Sequence, residues 1–263
     1  MPFTFSHPAA ILPIHSKWRE WLSLPPLVIG SLIPDAGYYL PMPEHYKANA
    51  HTWSGALLFS LPVGIVVLLI FYWIAPEIVY LLPSPYREVL EPRVAAPMTS
   101  LGEALLAFCG LVIGVETHIL WDSFTHQTGW LVERVAFLRS PFWGGAVPVF
   151  YALQVLSSVA GLCILVYVLE RWTRAQMTPG WTWQKPSWRF CLWFAVLAGC
   201  VFAAILESHA VHGIENFHFH PGDSRHFALI LVTSFVRDVL LALCAMSLSV
   251  KLFRFRVPQH AAS

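Results

Sequence analysis

Five stretches of this chain are apolar for long enough to cross a bilayer, where a helix needs about 20 mostly apolar residues. Residues 52–76 carry no Asp, Glu, Lys or Arg, and GALLFSLPVGIVVLLIFYWIA is the clearest span, near 54–75. A second lies near 101–121, less pure because Glu103, Glu116 and His118 sit in it. Residues 140–169 are free of charge and predict a span near 146–168. Two more follow near 190–208 and 227–250, the last interrupted by Arg237 and Asp238. The predicted fold is an all-α, polytopic membrane helical bundle of about five transmembrane helices.

The first fifty residues break this pattern. LSLPPLVIGSLIP is apolar but short, and prolines punctuate it on both sides, where a continuous helix would be interrupted. Residues 1–50 are therefore expected to form an outer-face segment of short helices and loops packed on the bundle. A re-entrant segment is the alternative for residues 21–40. No internal repeat or low-complexity tract divides the chain, so 1–263 is expected to form a single integral membrane domain.

Composition agrees with a lipid-facing surface. The chain has 263 residues, is 57% hydrophobic and only 12% charged, about half the charge of an ordinary soluble domain. A net charge of +1 gives no reason to expect nucleic acid as a partner. The five cysteines all lie in apolar stretches without CxxC or zinc-finger spacing, so they are expected to be small core residues and not a disulfide framework. The opening MPFTFSHPAA lacks the basic region and apolar core of a cleaved signal peptide, so the first span is expected to serve as the targeting signal.

Lys and Arg in short loops predict orientation. The 170–189 loop carries Arg171, Arg174, Lys185 and Arg189, and the C-terminal tail carries Lys251, Arg254 and Arg256. These segments lie two spans apart, share a side, and are expected to be cytoplasmic in a bacterial inner membrane. Parity then gathers His7, His15, His45, His51, His118, His126, His209, His212, His218, His220 and His226 outside or at outer helix ends, leaving His260 inside. The clustering survives inversion of the whole topology, because it depends on the number of spans and not on the charges.

The sharpest motif is His118-Ile-Leu-Trp-Asp122-Ser-Phe-Thr-His126. Residues i and i+4 share a helix face, so His118 and Asp122 can grip one metal ion, or merely bond each other. A continuous helix would separate His118 from His126 by about 12 Å, too far for one ion. Either two metals bind, or the helix ends near Thr125 and His126 folds back. Ser6-His7-Pro8, Pro34-Asp35 and His51-Thr52-Trp53 add two imidazoles and a carboxylate on the same side. A third group, Glu207-Ser-His209-Ala-Val-His212-Gly-Ile-Glu215, is either a further metal or head-group site or a solvated loop. Arg237 and Asp238 lie about ten residues into the last span, where charge is costly. As neighbours they point about 100° apart, so Glu103, Glu116 or a lipid phosphate is the expected partner of Arg237. There is no GxSxG, Walker loop or dinucleotide fingerprint.

The segments MPFTFSHPAAILP, VIGSLIPDAGYYL and HTWSGALLFSLPVGI resemble a bacterial membrane-protein family of uncharacterised function. That family is distantly similar to inner-membrane metal-dependent hydrolases, and through them to zinc-dependent phospholipase C and the S1/P1-type nucleases. The resemblance implies a divalent metal, zinc before manganese or iron, held by His7, Asp35, His51, His118, Asp122 and His126. The soluble enzymes add a His followed four residues later by a carboxylate, whereas His212 is followed at that distance by Asn216. One or two metals are implied here instead of three.

Together these features predict a metal-dependent hydrolase of the outer membrane face, acting on a phosphoester of a lipid or lipid-linked substrate. Asp122 and His126 would be its catalytic residues, and His209, His212, Glu215, Arg237 and Asp238 possible additions. The alternatives are a transporter of metal ions or small solutes, with Arg237, Asp238 and Glu103 forming a path inward, and a non-catalytic membrane scaffold.

Overall fold

Long runs without charge become long helices. The structure, a computed structural model, describes residues 4–40, 42–43, 46, 49–94, 98–177, 187–215 and 223–256. Two short helices, α1 (Pro8–Trp18) and α2 (Leu24–Leu32), precede the long α3 (Trp53–Leu81). After α4 (Tyr86–Leu90) come α5 (Leu101–Thr125), the short α6 (Trp130–Arg134) and α7 (Ala136–Arg139), then α8 (Val149–Gln176), α9 (Trp188–Glu215) and α10 (Asp223–Arg256). No strand occurs among the described residues. Five segments are long and apolar enough to cross a membrane: Trp53–Leu81, Leu101–Arg134, Val149–Gln176, Trp188–His209 and Ile230–Phe253. They coincide with the five charge-poor runs. The protein is an all-α, polytopic membrane protein. Its cysteines are free, but Cys109, Cys163 and Cys191 are exposed on the faces of apolar helices and do not lie in a core.

The chain divides into two compact units. The first comprises Met1–Gly37, Pro41–Ile70 and Ala96–Ala175, and in it α2 lies along α5. Small residues permit this approach: a Cβ on Gly114 would come within 2.7 Å of the Ser31 amide nitrogen, and one on Gly110 within 3.0 Å of the Pro26 side chain. Ile11, Leu22 and Leu27 form a buried cluster extended by Val28 and Ile113. Local chemistry sets the helix ends. Thr52 accepts the Gly55 amide at the start of α3, and Ser100 accepts that of Glu103 at the start of α5, satisfying donors a helix leaves open. Pro62 would crowd the carbonyl four residues back, and α3 widens to a π-turn over Ala56–Ser60 just before it.

The second unit holds Tyr38–Leu40, Phe71–Ala95 and Gln176–Ser263, with α9 packed along α10. Arg189 and Trp193 of α9 donate to the carbonyls of Tyr80 and Leu81, closing the C-terminus of α3. Glu77 is buried and paired with Lys251 at 3.0 Å.

Candidate metal centre

Six of the residues singled out in the sequence meet in the first unit. His7 stands just before α1, Asp35 in the 3-10 turn Ile33–Tyr38, and His51 just before α3. His118 and Asp122 lie one turn apart on α5. Helix α5 ends at Thr125, and the extended backbone of His126 (φ −112°, ψ 144°) turns its ring back to within 3.3 Å of Asp122. The fold-back takes the second of the two courses open to His126.

Neighbouring chain holds each group in place. The Tyr46 hydroxyl donates to the Ile33 carbonyl at 3.1 Å, tying down the turn that carries Asp35. Thr4 donates to Asp35 Oδ2 at 2.6 Å, leaving Oδ1 to face His51 at 3.1 Å. His118 Nδ1 lies 2.7 Å from the Ser31 carbonyl, which can only accept. The proton therefore sits on Nδ1, and in the neutral ring Nε2 offers a lone pair to the cluster, as a second partner commonly arranges for a metal-binding histidine. Thr4 was missed in the sequence, although it stands three residues before His7; so was Gln154 of α8, whose amide lies 3.5 Å from His126 Nε2.

Asp35, His51, His118 and Asp122 each direct one ligand atom into a space where all four lie within 4.8 Å of one another, and the group could hold a metal ion. Four edges define the spacing. His51–Asp35 is 3.1 Å, His118–Asp122 is 3.2 Å, His51–Asp122 is 3.5 Å and His118–Asp35 is 3.8 Å. An ion with tetrahedral bonds of 2.0–2.2 Å needs ligand atoms about 3.3–3.6 Å apart, so these edges bracket that spacing. The other oxygen, Asp122 Oδ1, faces His7 Nε2 at 3.6 Å and His126 Nδ1 at 3.3 Å. One carboxylate thus stands between two pairs of imidazoles.

Four unsatisfied atoms face one another in the same space. Both oxygens of Asp122, Nε2 of His7 and Nε2 of His118 are buried without a hydrogen bond. Buried polar atoms are ordinarily paired, so these four fit a cation's ligand shell. Burial, reinforced by His118, lowers the His7 pKa to about 3, which leaves that ring neutral and able to ligate at pH 7. For Asp35 burial acts upward, but the hydrogen bond from His51 and the neighbouring His118 outweigh it and keep its pKa below the usual value. His7, His118, Asp35 and Asp122 are buried, whereas the His51 and His126 side chains are 28% and 27% exposed. Access is therefore on the His51–His126 side.

The remaining candidates lie elsewhere. Arg237 takes partners other than those the sequence suggested. Its fork meets the Glu207 carboxylate of α9, with Nη1 to Oε1 at 3.0 Å, and also reaches Asp238 at 3.0 Å. The long guanidinium arm spans an angle that the backbone directions alone appeared to forbid. Glu103 accepts from the Thr99 amide and hydroxyl at the start of α5, where it caps a helix. His209 packs edge-on against Phe227. The side chains of His212 and Glu215 lie outside the described residues, as do those of His45, His218, His220, His226, His260, Lys185, Arg254 and Arg256.

No curated protein and no solved structure matches the chain. The comparisons show no similarity to phospholipase C, S1/P1-type nucleases or any other hydrolase. One family does match, over residues 1–248. With nearly its whole length covered, the protein belongs to the family described as Domain of unknown function (DUF4184).

Proposed function

We propose that this protein is a metal-dependent hydrolase that cleaves a phosphoester of a lipid or lipid-linked substrate at the face of a bacterial cytoplasmic membrane. The observation that carries the reading is the convergence of Asp35, His51, His118 and Asp122 on one point, with a second carboxylate oxygen turned toward His7 and His126. Mixed imidazole and carboxylate ligands at near-tetrahedral spacing favour zinc, with manganese or iron as the other candidates. Such an ion lowers the pKa of a bound water toward 7 and stabilises charge on phosphoryl oxygens.

The chain's own residues supply the rest. His118, fixed by the Ser31 carbonyl, and Asp35, fixed by Thr4, are held rigidly in the buried part of the site. Asp122 can serve two loci at once through its two oxygens. His126 combines partial exposure with contact to Asp122, and an imidazole there can pass a proton to or from a leaving oxygen. By the charge rule the Lys and Arg of the 170–189 loop mark the cytoplasmic side, so this reading assigns the site to the outer face.

The test uses protein purified without chelator. Elemental analysis should find at least one equivalent of a divalent metal. Release of phosphate or a phosphorylated head group from lipid substrates should stop on chelation and return with zinc or manganese. Protein that binds no metal, even after resupply, would sink the proposal. Metal-loaded protein inactive on a panel of phosphoester lipids, yet passing the ion into liposomes, would turn it to a transporter.

A further inference from the structure

The first two helices run downward from the metal site and back. At the top, His7 faces Asp122 and Ser31 faces His118. At the bottom, Pro26 of α2 abuts Gly110 of α5, while Gly114 lies against Ser31. Helix α2 thus ascends alongside α5, in the same direction. Helix α1 must descend from His7, and its far end meets the start of α2, where His15 Nδ1 bonds the Leu22 carbonyl at 2.9 Å.

Two neighbours measure how far the turn between them descends. Ala9 and Ser6 touch Gly161 of α8. Trp18 lies nine residues beyond Ala9, about 14 Å further along α1 at 1.5 Å per residue. Nine residues beyond Gly161 stands Glu170, followed by Arg171 and Arg174, where the apolar stretch of α8 ends. On α5, Pro26 is level with Gly110 and α2 begins two residues earlier, at Leu24, so the turn lies below Gly110 as well. On α8, the turn arrives where charge returns.

The turn itself has the composition of an interface. Lys17, Trp18, Arg19, Glu20 and Trp21 are all exposed, Trp21 by 67%. Three exposed charges would be costly within hydrocarbon, whereas Trp, Lys and Arg favour the head-group layer. Lys17 and Arg19 then lie at the same end of this unit as Arg171 and Arg174 of α8, as expected if both segments meet the cytoplasmic head groups.

We propose that α1 and α2 form a re-entrant hairpin that enters the membrane from the metal side. It carries the Lys17–Trp21 turn to the opposite lipid–water interface, where the turn contacts phospholipid head groups. The hairpin backbone stays within helices and against α5 and α8, the condition under which a non-spanning segment is tolerated at membrane depth. The N-terminal ligand His7 and the Asp35 turn are then anchored from across the bilayer.

The test is sided labelling in a background with all five cysteines replaced. Lys17→Cys and Glu20→Cys are probed with a membrane-impermeant maleimide in sealed right-side-out and inverted vesicles. Trp143→Cys, between α7 and α8, and Arg174→Cys, at the far end of α8, serve as references for the two sides. Both hairpin positions should label in the same vesicle type as Arg174→Cys, at least tenfold faster than in the other. Labelling together with Trp143→Cys would overturn the proposal by leaving the hairpin on the metal side. Failure to label in either vesicle, with both references reactive, would overturn it too, because the turn would then be buried short of the interface. Neither result depends on whether the protein is a hydrolase.

Discussion

Asp122→Asn tests the metal centre most directly, because Asp122 alone faces two pairs of imidazoles. Its Oδ2 lies 3.2 Å from His118 and 3.5 Å from His51, and its Oδ1 lies 3.3 Å from His126 and 3.6 Å from His7. Asparagine keeps the shape and one oxygen, but puts an amide that can only donate in place of the other. The His7–His126 side then loses its carboxylate, while the other side retains Asp35. An ion bound between His7 and His126 should be lost, and an ion at the four-residue group should bind more weakly. Losing an outer partner of a metal ligand already costs 10–100-fold in affinity, so loss of the ligand charge should cost about 100-fold or more. That is about 2.8 kcal/mol. At a metal concentration well above the Kd of both proteins, this difference should lower Tm by about 6–11 °C, at 2–4 °C per kcal/mol. Metal content after equilibrium dialysis, competition with a chelator and thermal unfolding read the three quantities. An Asn variant with wild-type stoichiometry and affinity would refute the reasoning, since no carboxylate would then be needed between the imidazoles.

Other outcomes follow from the same geometry. Tyr46→Phe should cost about 0.5–1.5 kcal/mol, the usual worth of a hydrogen bond, and weaken metal binding by loosening the Asp35 turn; unchanged stability would show that the bond to Ile33 is idle. Gly114→Ala should destabilise by about 1–3 kcal/mol through overpacking, because the added methyl meets the Ser31 and Gly30 backbone. Gly102→Ala, with only Ser100 Oγ nearby at 3.9 Å, should be neutral or stabilise by about 0.4–1 kcal/mol; thermal unfolding of the two variants side by side makes the comparison. Arg237→Met should lower stability, and Glu207→Gln added to it should cost less than on the wild type, with a coupling of about 0.5–3 kcal/mol. Additive effects in that cycle would show that the pair does not interact.

Much of this protein was legible along the chain. Burial in lipid is a property of composition over some twenty consecutive residues, so a charge-free run such as 52–76 declares its own helix. The pairing of His118 with Asp122 is equally local, because helix geometry alone puts i and i+4 on one face. What the chain could not disclose was where separate segments meet. The partner of Arg237 depended on which helix lies beside α10 and on the reach of a flexible side chain, and Glu207, thirty residues away, is invisible to any local rule. The same holds for Thr4 behind Asp35 and Gln154 beside His126, ordinary residues that matter only through position. The sequence could state that His126 either served a second ion or folded back, but only the end of α5 at Thr125 decided between them. The arrangement of Asp122, with one oxygen toward each pair of histidines, is likewise a product of three segments brought around one helix. Spans are written in local composition, whereas a metal centre is a set of distances between residues that the chain keeps far apart and only packing brings together.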